Sequence, residues 1–395
     1  MRRILILIAL LSGCSAPQLA VTPPSTPTPG AIASATPIDH YGATMNRLTL
    51  WWAGIRGASF DRSIDCYRVG YWSVGPDGKP ILVSALVALP DGEPRGVVGW
   101  QHGTTTNREE VPSRLTFEGT MAARLFAGLG YTLVATDYQG LGDGPGVHPY
   151  LVAETAANDV VFALQAARSI ALAPRTSAER GVPEPTTLIG FSQGGHATLA
   201  ALRALEGGSA TSLDAITIAG PHNLRHISFS TAMTGQSPND SLYLAYMTRG
   251  YAHVYGRSTD SVLRSDQAAN VDRLLDGQHE GDTIIAGLPK NPRELFNDDF
   301  LAAFDGNEAN WLLDALAANE VSHWRPRSPV LMLYGDNDLD VPPSEAITTA
   351  REMSAAGADV RAKSVGAFDH DQSVFEAIPA ILAWLQEGPS KVDNQ

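Results

Sequence analysis

The chain has 395 residues, 44% of them hydrophobic, and a formal net charge of −14. That length supports one large domain with insertions or two medium ones, with ample apolar material for a buried core. The negative balance opposes phosphate backbones and anionic lipid alike, so nucleic acid is not expected as a partner and a neutral substrate fits better than a polyanion.

In chain order, Arg2 and Arg3 come first and are followed by an apolar stretch over residues 4–11, too short to span a bilayer. Leu11-Ser12-Gly13-Cys14 comes next and resembles a bacterial lipobox. The resemblance implies that residues 1–13 are a lipoprotein signal peptide and that Cys14 is the lipidation site. It places the protein at the bacterial cell envelope, lipid-anchored, and at the outer membrane where the organism has two. Residues 14–40 are rich in Pro, Thr and Ser and are predicted to form an extended tether. Cys14 and Cys66 are the only cysteines. With Cys14 acylated no internal disulfide is possible, and Cys66 reads as a small core residue. Trp51 and Trp52 read as packing residues.

Residues 66–73 and 81–89 flank the turn signal Gly75-Pro76-Asp77-Gly78 and predict a hairpin. Short apolar runs at 97–100, 131–136, 187–189, 216–219 and 330–334, and a weaker one at 360–365, predict buried strands. Helical patterning fills residues 117–129, 152–173, 195–205, 343–356 and 373–385. Such alternation predicts an α/β fold, a mostly parallel central sheet with helices on both faces. No buried-strand run occurs from 221 to 325, where pieces such as 268–275 and 309–318 are helix-like. This stretch is predicted to be an inserted helical cap, so that the core is made of residues 41–220 and 326–390. Tyr243, Tyr246, Tyr251, Phe296 and Phe300 read as packing within that cap, with an acyl-pocket lining as the alternative.

The strongest chemical signal is Gly190-Phe191-Ser192-Gln193-Gly194. A short apolar strand precedes it and a helix-forming segment follows, the setting of a nucleophile elbow. The sharp turn needs neighbours without side chains, and the helix N-terminus brings backbone N–H donors to Ser192. Ser192 is therefore the candidate nucleophile, and the N–H of Gln193 the first candidate oxyanion donor. A serine hydroxyl needs a base, and on an α/β-hydrolase fold the order is Ser, acid, His. Downstream, Asp336, Asp338 and Asp340 follow the strand that ends near Tyr334, and His370 is the only later histidine. His102 precedes the nucleophile and His196 lies on the helix after it, and both read as structural.

Together, Gln101-His102-Gly103-Thr104, Asp137-Tyr138-Gln139-Gly140-Leu141-Gly142 with His148-Pro149-Tyr150, and the serine motif resemble the secretory lipase family of α/β-hydrolases. The resemblance spans about residues 40–390. It implies carboxylic ester hydrolysis by a lipase or esterase, a helical cap over the site, and neither cofactor nor metal. The family pattern Gly-x-x-Asp-x-x-Val-Pro maps the acid onto Asp338, with Asp336 as the main rival and Asp340 behind it, the two otherwise reading as solvated loop residues. The His-Gly of the oxyanion loop maps onto His102-Gly103, which makes Thr104 the second donor. A lipid or small-molecule ester is the expected substrate, lipid catabolism the expected setting, and the membrane, through Cys14, the expected partner. No obligate protein partner is evident. A serine peptidase of the same fold shares the triad, but would be favoured by an inserted β-propeller that the sequence lacks. A non-catalytic surface-binding lipoprotein would be expected to have lost a triad member.

Overall fold

The structure is a computed structural model and describes residues 16–19, 21–171, 186–208 and 212–389. Residues 1–13 and Cys14 lie outside the described residues. Nine strands form one sheet: β1 (Ile32–Tyr41), β2 (Ile64–Val74), β3 (Pro80–Pro90), β4 (Val97–Gln101), β5 (Thr132–Thr136), β6 (Thr186–Phe191), β7 (Leu213–Ile218), β8 (Val330–Gly335) and β9 (Val360–Gly366). Their order is β1-β2-β3-β5-β4-β6-β7-β8-β9. β1, β2, β3 and β5 pair antiparallel in turn, and β5 through β9 are parallel. The expected hairpin is β2–β3, closed by the Gly75 N–H on the Lys79 carbonyl at 2.8 Å.

Every residue of β4 and β5 is buried, as continuous apolar runs covered on both faces require. Alternate residues feed two separate cores. Leu188, Ala215 and Met332 face the helices Ala153–Ala171, Gln193–Glu206 and Ser344–Ala355. Ile189, Ile216 and Leu333 face the other layer, which includes Leu50, Phe126 and Trp384. Cys66 is buried in that second core. The helical patterning over 373–385 resolves into two helices, His370–Glu376 and Ile378–Glu387, with Pro379 in the first turn of the second.

The tether expected over 14–40 is corrected at its C-terminal end. Residues 32–41 form β1, an edge strand paired with β2 through two register shifts, one of them between Pro37 and Asp39. A proline is tolerated there because an edge strand leaves one row of N–H groups unpaired. Further upstream Ala16 is buried against the first core, and the Tyr67 hydroxyl donates to the Pro17 carbonyl at 3.0 Å. Composition suits a tether, but a ready partner strand recruits the segment.

Between β7 and β8 the described chain is helical apart from one isolated bridge, Leu263 to Phe296. It builds a third core of its own, including Phe229, Tyr246, Tyr251, Phe296 and Phe300, joined by Tyr150, Leu151 and Val152 from the loop before Ala153–Ala171. Tyr246, Tyr251, Phe296 and Phe300 are buried as cap packing, whereas Tyr243 is only half-buried. His196, in the core helix, bonds through Nε2 to the Asn319 carbonyl at 2.9 Å, and the Asn319 side chain accepts from the Ala153 N–H at 2.8 Å. At the other root of the cap, Glu345 accepts from the N–H groups of His222 (3.0 Å) and Asn223 (2.9 Å) and from the Ser228 hydroxyl.

Glu345 is buried, so its loss strands three donors away from water. Glu345→Ala is expected to cost roughly 2–4 kcal/mol of stability. Thermal unfolding checks this: a clearly lowered midpoint is expected, and an unchanged midpoint contradicts the pinning role.

Candidate active site

Strand β6 ends at Phe191, the helix Gln193–Glu206 begins at once, and Ser192 between them has φ 55 and ψ −121. Serine rarely occupies that region, so the surroundings must hold it there. The Ser192 N–H donates to the Ile218 carbonyl of β7 at 2.9 Å, and the Gly195 N–H donates to the Ser192 carbonyl at 2.8 Å. A Cβ on Gly190 would sit 2.0 Å from the Gly194 oxygen, and one on Gly194 would sit 1.9 Å from the Gln101 oxygen. Both glycines are therefore imposed by backbone contact.

Ser192, Asp338 and His370 are all buried and come together at the C-terminal ends of β6, β8 and β9. The Ser192 Oγ is 2.8 Å from His370 Nε2, and His370 Nδ1 is 2.8 Å from Asp338 Oδ2. The other Asp338 oxygen, Oδ1, accepts from the N–H groups of Asp340 and Val341, each at 2.9 Å. With Asp338 accepting at Nδ1, the imidazole proton sits on that nitrogen, which leaves Nε2 free to accept from Ser192. Burial pulls the imidazole pKa down, but the hydrogen bond and charge of Asp338, with Asp340 and Asp371 nearby, outweigh it and hold His370 above the ordinary histidine value.

The three aspartates of the β8 loop separate clearly. Asp336 is exposed, and Asp338 is the one on the imidazole. Asp340 departs from the expectation of a solvated residue: it accepts from the Ser237 hydroxyl and, at 3.2 Å to each oxygen, from the Asn239 amide. Both partners lie in the cap, just before its helix Asp240–Val254, so Asp340 ties the cap to the loop that carries Asp338. Among the described residues the one cluster with metal-ligand spacing is Asp338, Asp340 and His370, and its atoms are engaged in these same hydrogen bonds.

The loop after β4 lies against the nucleophile. A Cβ on Gly103 would meet the Phe191 ring at 3.0 Å and the Ser192 Cβ at 3.7 Å. His102 bonds through Nδ1 to the Gly103 carbonyl at 2.8 Å and stacks on Tyr138, and burial drives its pKa down to about 4, so it braces the loop as a neutral ring. The Thr104 hydroxyl is taken by the Tyr150 hydroxyl at 2.8 Å, and Tyr150 stacks on Tyr246 of the cap with ring centroids 4.5 Å apart. Gln193 opens the helix, where the first N–H groups have no partner within the helix. Its side-chain amide donates to His148 Nε2 at 2.7 Å, while His148 Nδ1 donates to the Gln139 carbonyl at 2.8 Å.

Glu118 and His148 escape the sequence reading as site residues, and Tyr243 reads there as cap packing with an acyl-pocket lining as the alternative. Glu118 accepts from the Trp100 indole N–H at 2.9 Å and from the Gly103 N–H; burial pushes its carboxyl up to about 7 against those two bonds. Tyr243 of the cap lies near Asp340, Tyr150, Asp371 and Asp338, and burial, followed by the negative charge of Asp340, raises its hydroxyl pKa well above the usual value. His148 was visible only as part of a motif, and its bond to Gln193 had no sequence signal.

The comparisons with known proteins bear on the family and the fold. The family model described as secretory lipase matches residues 112–391. Among solved structures, a putative hydrolase from Legionella pneumophila superposes with a TM-score of 0.81 at 23% identity, over 92% of this chain and 98% of that one. The rice cell wall degrading esterase LipA from Xanthomonas oryzae gives 0.79 at 23% identity, over 93% and 100% of the two chains. Candida antarctica lipase A in its closed state gives 0.67 at 15% identity, over 94% and 85%. At these identities the structural likenesses establish the α/β-hydrolase fold. No curated protein sequence matches the chain. The family match covers well over half of its length, and the chain therefore belongs to the secretory lipase family of carboxylic ester hydrolases.

Proposed function

We propose that Ser192, His370 and Asp338 are the catalytic triad of this esterase and that hydrolysis runs through an acyl-enzyme. The observation that carries the reading is the unbroken relay at 2.8 Å and 2.8 Å from hydroxyl to imidazole to carboxylate. As the Ser192 oxygen bonds to the ester carbonyl carbon, its proton passes to His370 Nε2. The carbonyl oxygen becomes an oxyanion, held by the N–H groups of Gln193 and Thr104. The C–O bond to the alcohol then breaks, and the leaving alkoxide takes the proton from His370. Water repeats the sequence in reverse roles: it gives a proton to His370, attacks the acyl carbon, and releases the acid and the Ser192 hydroxyl. Asp338 orients the ring and stabilises the imidazolium throughout.

A neutral ester suits the acidic chain, and the cap, with half-buried Tyr243 facing the acid loop, supports an acyl-binding role for its underside. The same proposal places the enzyme at the bacterial envelope, acylated on Cys14, as the lipobox-like Leu11-Ser12-Gly13-Cys14 supports. Palmitate labelling that survived Cys14→Ser would remove that part of it.

Ser192→Ala is expected to lower p-nitrophenyl ester turnover by a factor on the order of 10⁴ or more, and Asp338→Asn by a comparable factor. Asp336→Asn is expected to leave it nearly unchanged. Equal rates for wild type and Ser192→Ala would sink the assignment. A second expectation concerns pH. Protonated His370 cannot accept the serine proton, and its pKa is raised, so activity is lost as pH falls through a value above the ordinary histidine value of about 6.5. The acid limb of kcat/KM should lie there, and Asp371→Asn should move it to lower pH. A limb well below 6.5 would contradict the electrostatics described.

A further inference from the structure

The helix Ala43–Trp52 buries Asn46 and Leu50 and turns an apolar face outward. On that face Met45 and Leu48 are each 45% exposed, Trp51 is 54% exposed and Trp52 is 76% exposed. At about 100° per residue the four fall within an arc of roughly 120°, opposite the buried pair. Trp51 and Trp52 therefore do not serve as the packing residues the sequence suggested. Fold packing does not explain two adjacent exposed indoles, and a contiguous apolar patch of this kind marks an interaction surface.

Three observations point to a lipid bilayer as the occupant. Tryptophan is the side chain most at home at a membrane–water interface, with an apolar body and a polar N–H. The helix and the loop after it carry no acid: from His40 to Phe60 there is no Asp or Glu, while Arg56 is present and Arg47 is paired with Asp61 at 3.2 Å, in a chain of net charge −14. The Arg56 guanidinium lies 4.7 Å from the Trp51 ring, which keeps a cation beside the indoles. The third observation is where the chain goes. The helix follows β1, whose Tyr41 pairs with Ile64 of β2. Three residues along β2, about 10 Å, Tyr67 holds the Pro17 carbonyl. Cys14 is three residues before Pro17, within about 11 Å of extended chain. Pro17 and the indole helix thus lie beside the same outer strands, β1 and β2, on opposite faces of the sheet.

We propose that the face formed by Met45, Leu48, Trp51 and Trp52 inserts into the interfacial layer of a phospholipid bilayer and is a second membrane contact beside Cys14. A lipid anchor on a flexible segment leaves the domain free to turn, and a second contact fixes its orientation at the membrane. The inference uses the proposed acylation of Cys14 for its geometry, but the indole face stands without it.

The test uses the full chain carrying Cys14→Ser, with vesicles of phosphatidylethanolamine and phosphatidylglycerol whose acyl chains are brominated. The five remaining tryptophans are buried or half-buried, so contact quenching reports on Trp51 and Trp52. Vesicle-dependent quenching is expected. Trp51→Ser with Trp52→Ser should weaken vesicle binding on the order of tenfold (about 1.4 kcal/mol), and hydrolysis of p-nitrophenyl acetate in solution should be unchanged. Met45→Gln with Leu48→Gln should weaken binding in the same direction and serves if the indole variant fails to fold. Absence of quenching, or binding indifferent to both variants, overturns the proposal. So does a variant that only dissociates a dimer, which would assign the face to a second copy. A chain that binds vesicles as expected but hydrolyses no ester overturns the esterase reading and leaves this one standing.

Discussion

Ser192 keeps φ 55 and ψ −121 because two pieces of backbone meet with no room for side chains. The Gly194 Cα faces the Gln101 carbonyl so closely that even a methyl group is excluded, and Gly190 meets Gly194 in the same way. This contact does two things at once. It presses the helix Gln193–Glu206 onto the end of β4 and β6, which turns the hydroxyl of Ser192 outward from the sheet. It also brings the loop after β4 beside the nucleophile, so one packing constraint positions both Ser192 and the Gly103 region. The cost of the strained residue is offset by the two cores that clamp the sheet from either side.

Around that point the polar groups are arranged in pairs that link the core to the cap. Asp338 holds His370, and two residues on Asp340 holds Ser237 and Asn239 of the cap. Thr104 is tied to Tyr150, which stacks on Tyr246 of the cap. Glu345 and Asn319 fasten the two ends of the insertion to the core. The cap is therefore tied to the acid loop and to the loop after β4, the two loops that flank Ser192 and His370.

Much of this was legible in the sequence where one local rule decides the outcome. Continuous apolar runs marked the buried parallel strands, glycine spacing marked the turn at Ser192, and chain order left His370 as the one candidate base. What stayed hidden depends on partners distant in sequence. β1 lies in a Pro- and Thr-rich segment and becomes a strand only because β2 offers an open edge. Asp338 and Asp340 differ in role through hydrogen bonds that no spacing encodes. Glu118 sits 15 residues beyond Gly103 on another element, and nothing in its neighbours signals that it receives that amide. The exposure of Trp51 and Trp52 was likewise unreadable, because two adjacent indoles look the same in sequence whether packed or presented.

The central claim is that Ser192 is the residue that becomes covalently bonded during the reaction. Treating the folded protein with a fluorophosphonate and locating the adduct by peptide mass spectrometry addresses that claim without reference to substrate choice. The account predicts one adduct, on Ser192, formed slowly or not at all when His370 is replaced by Ala. An adduct on another serine, or active protein that carries none, would contradict it.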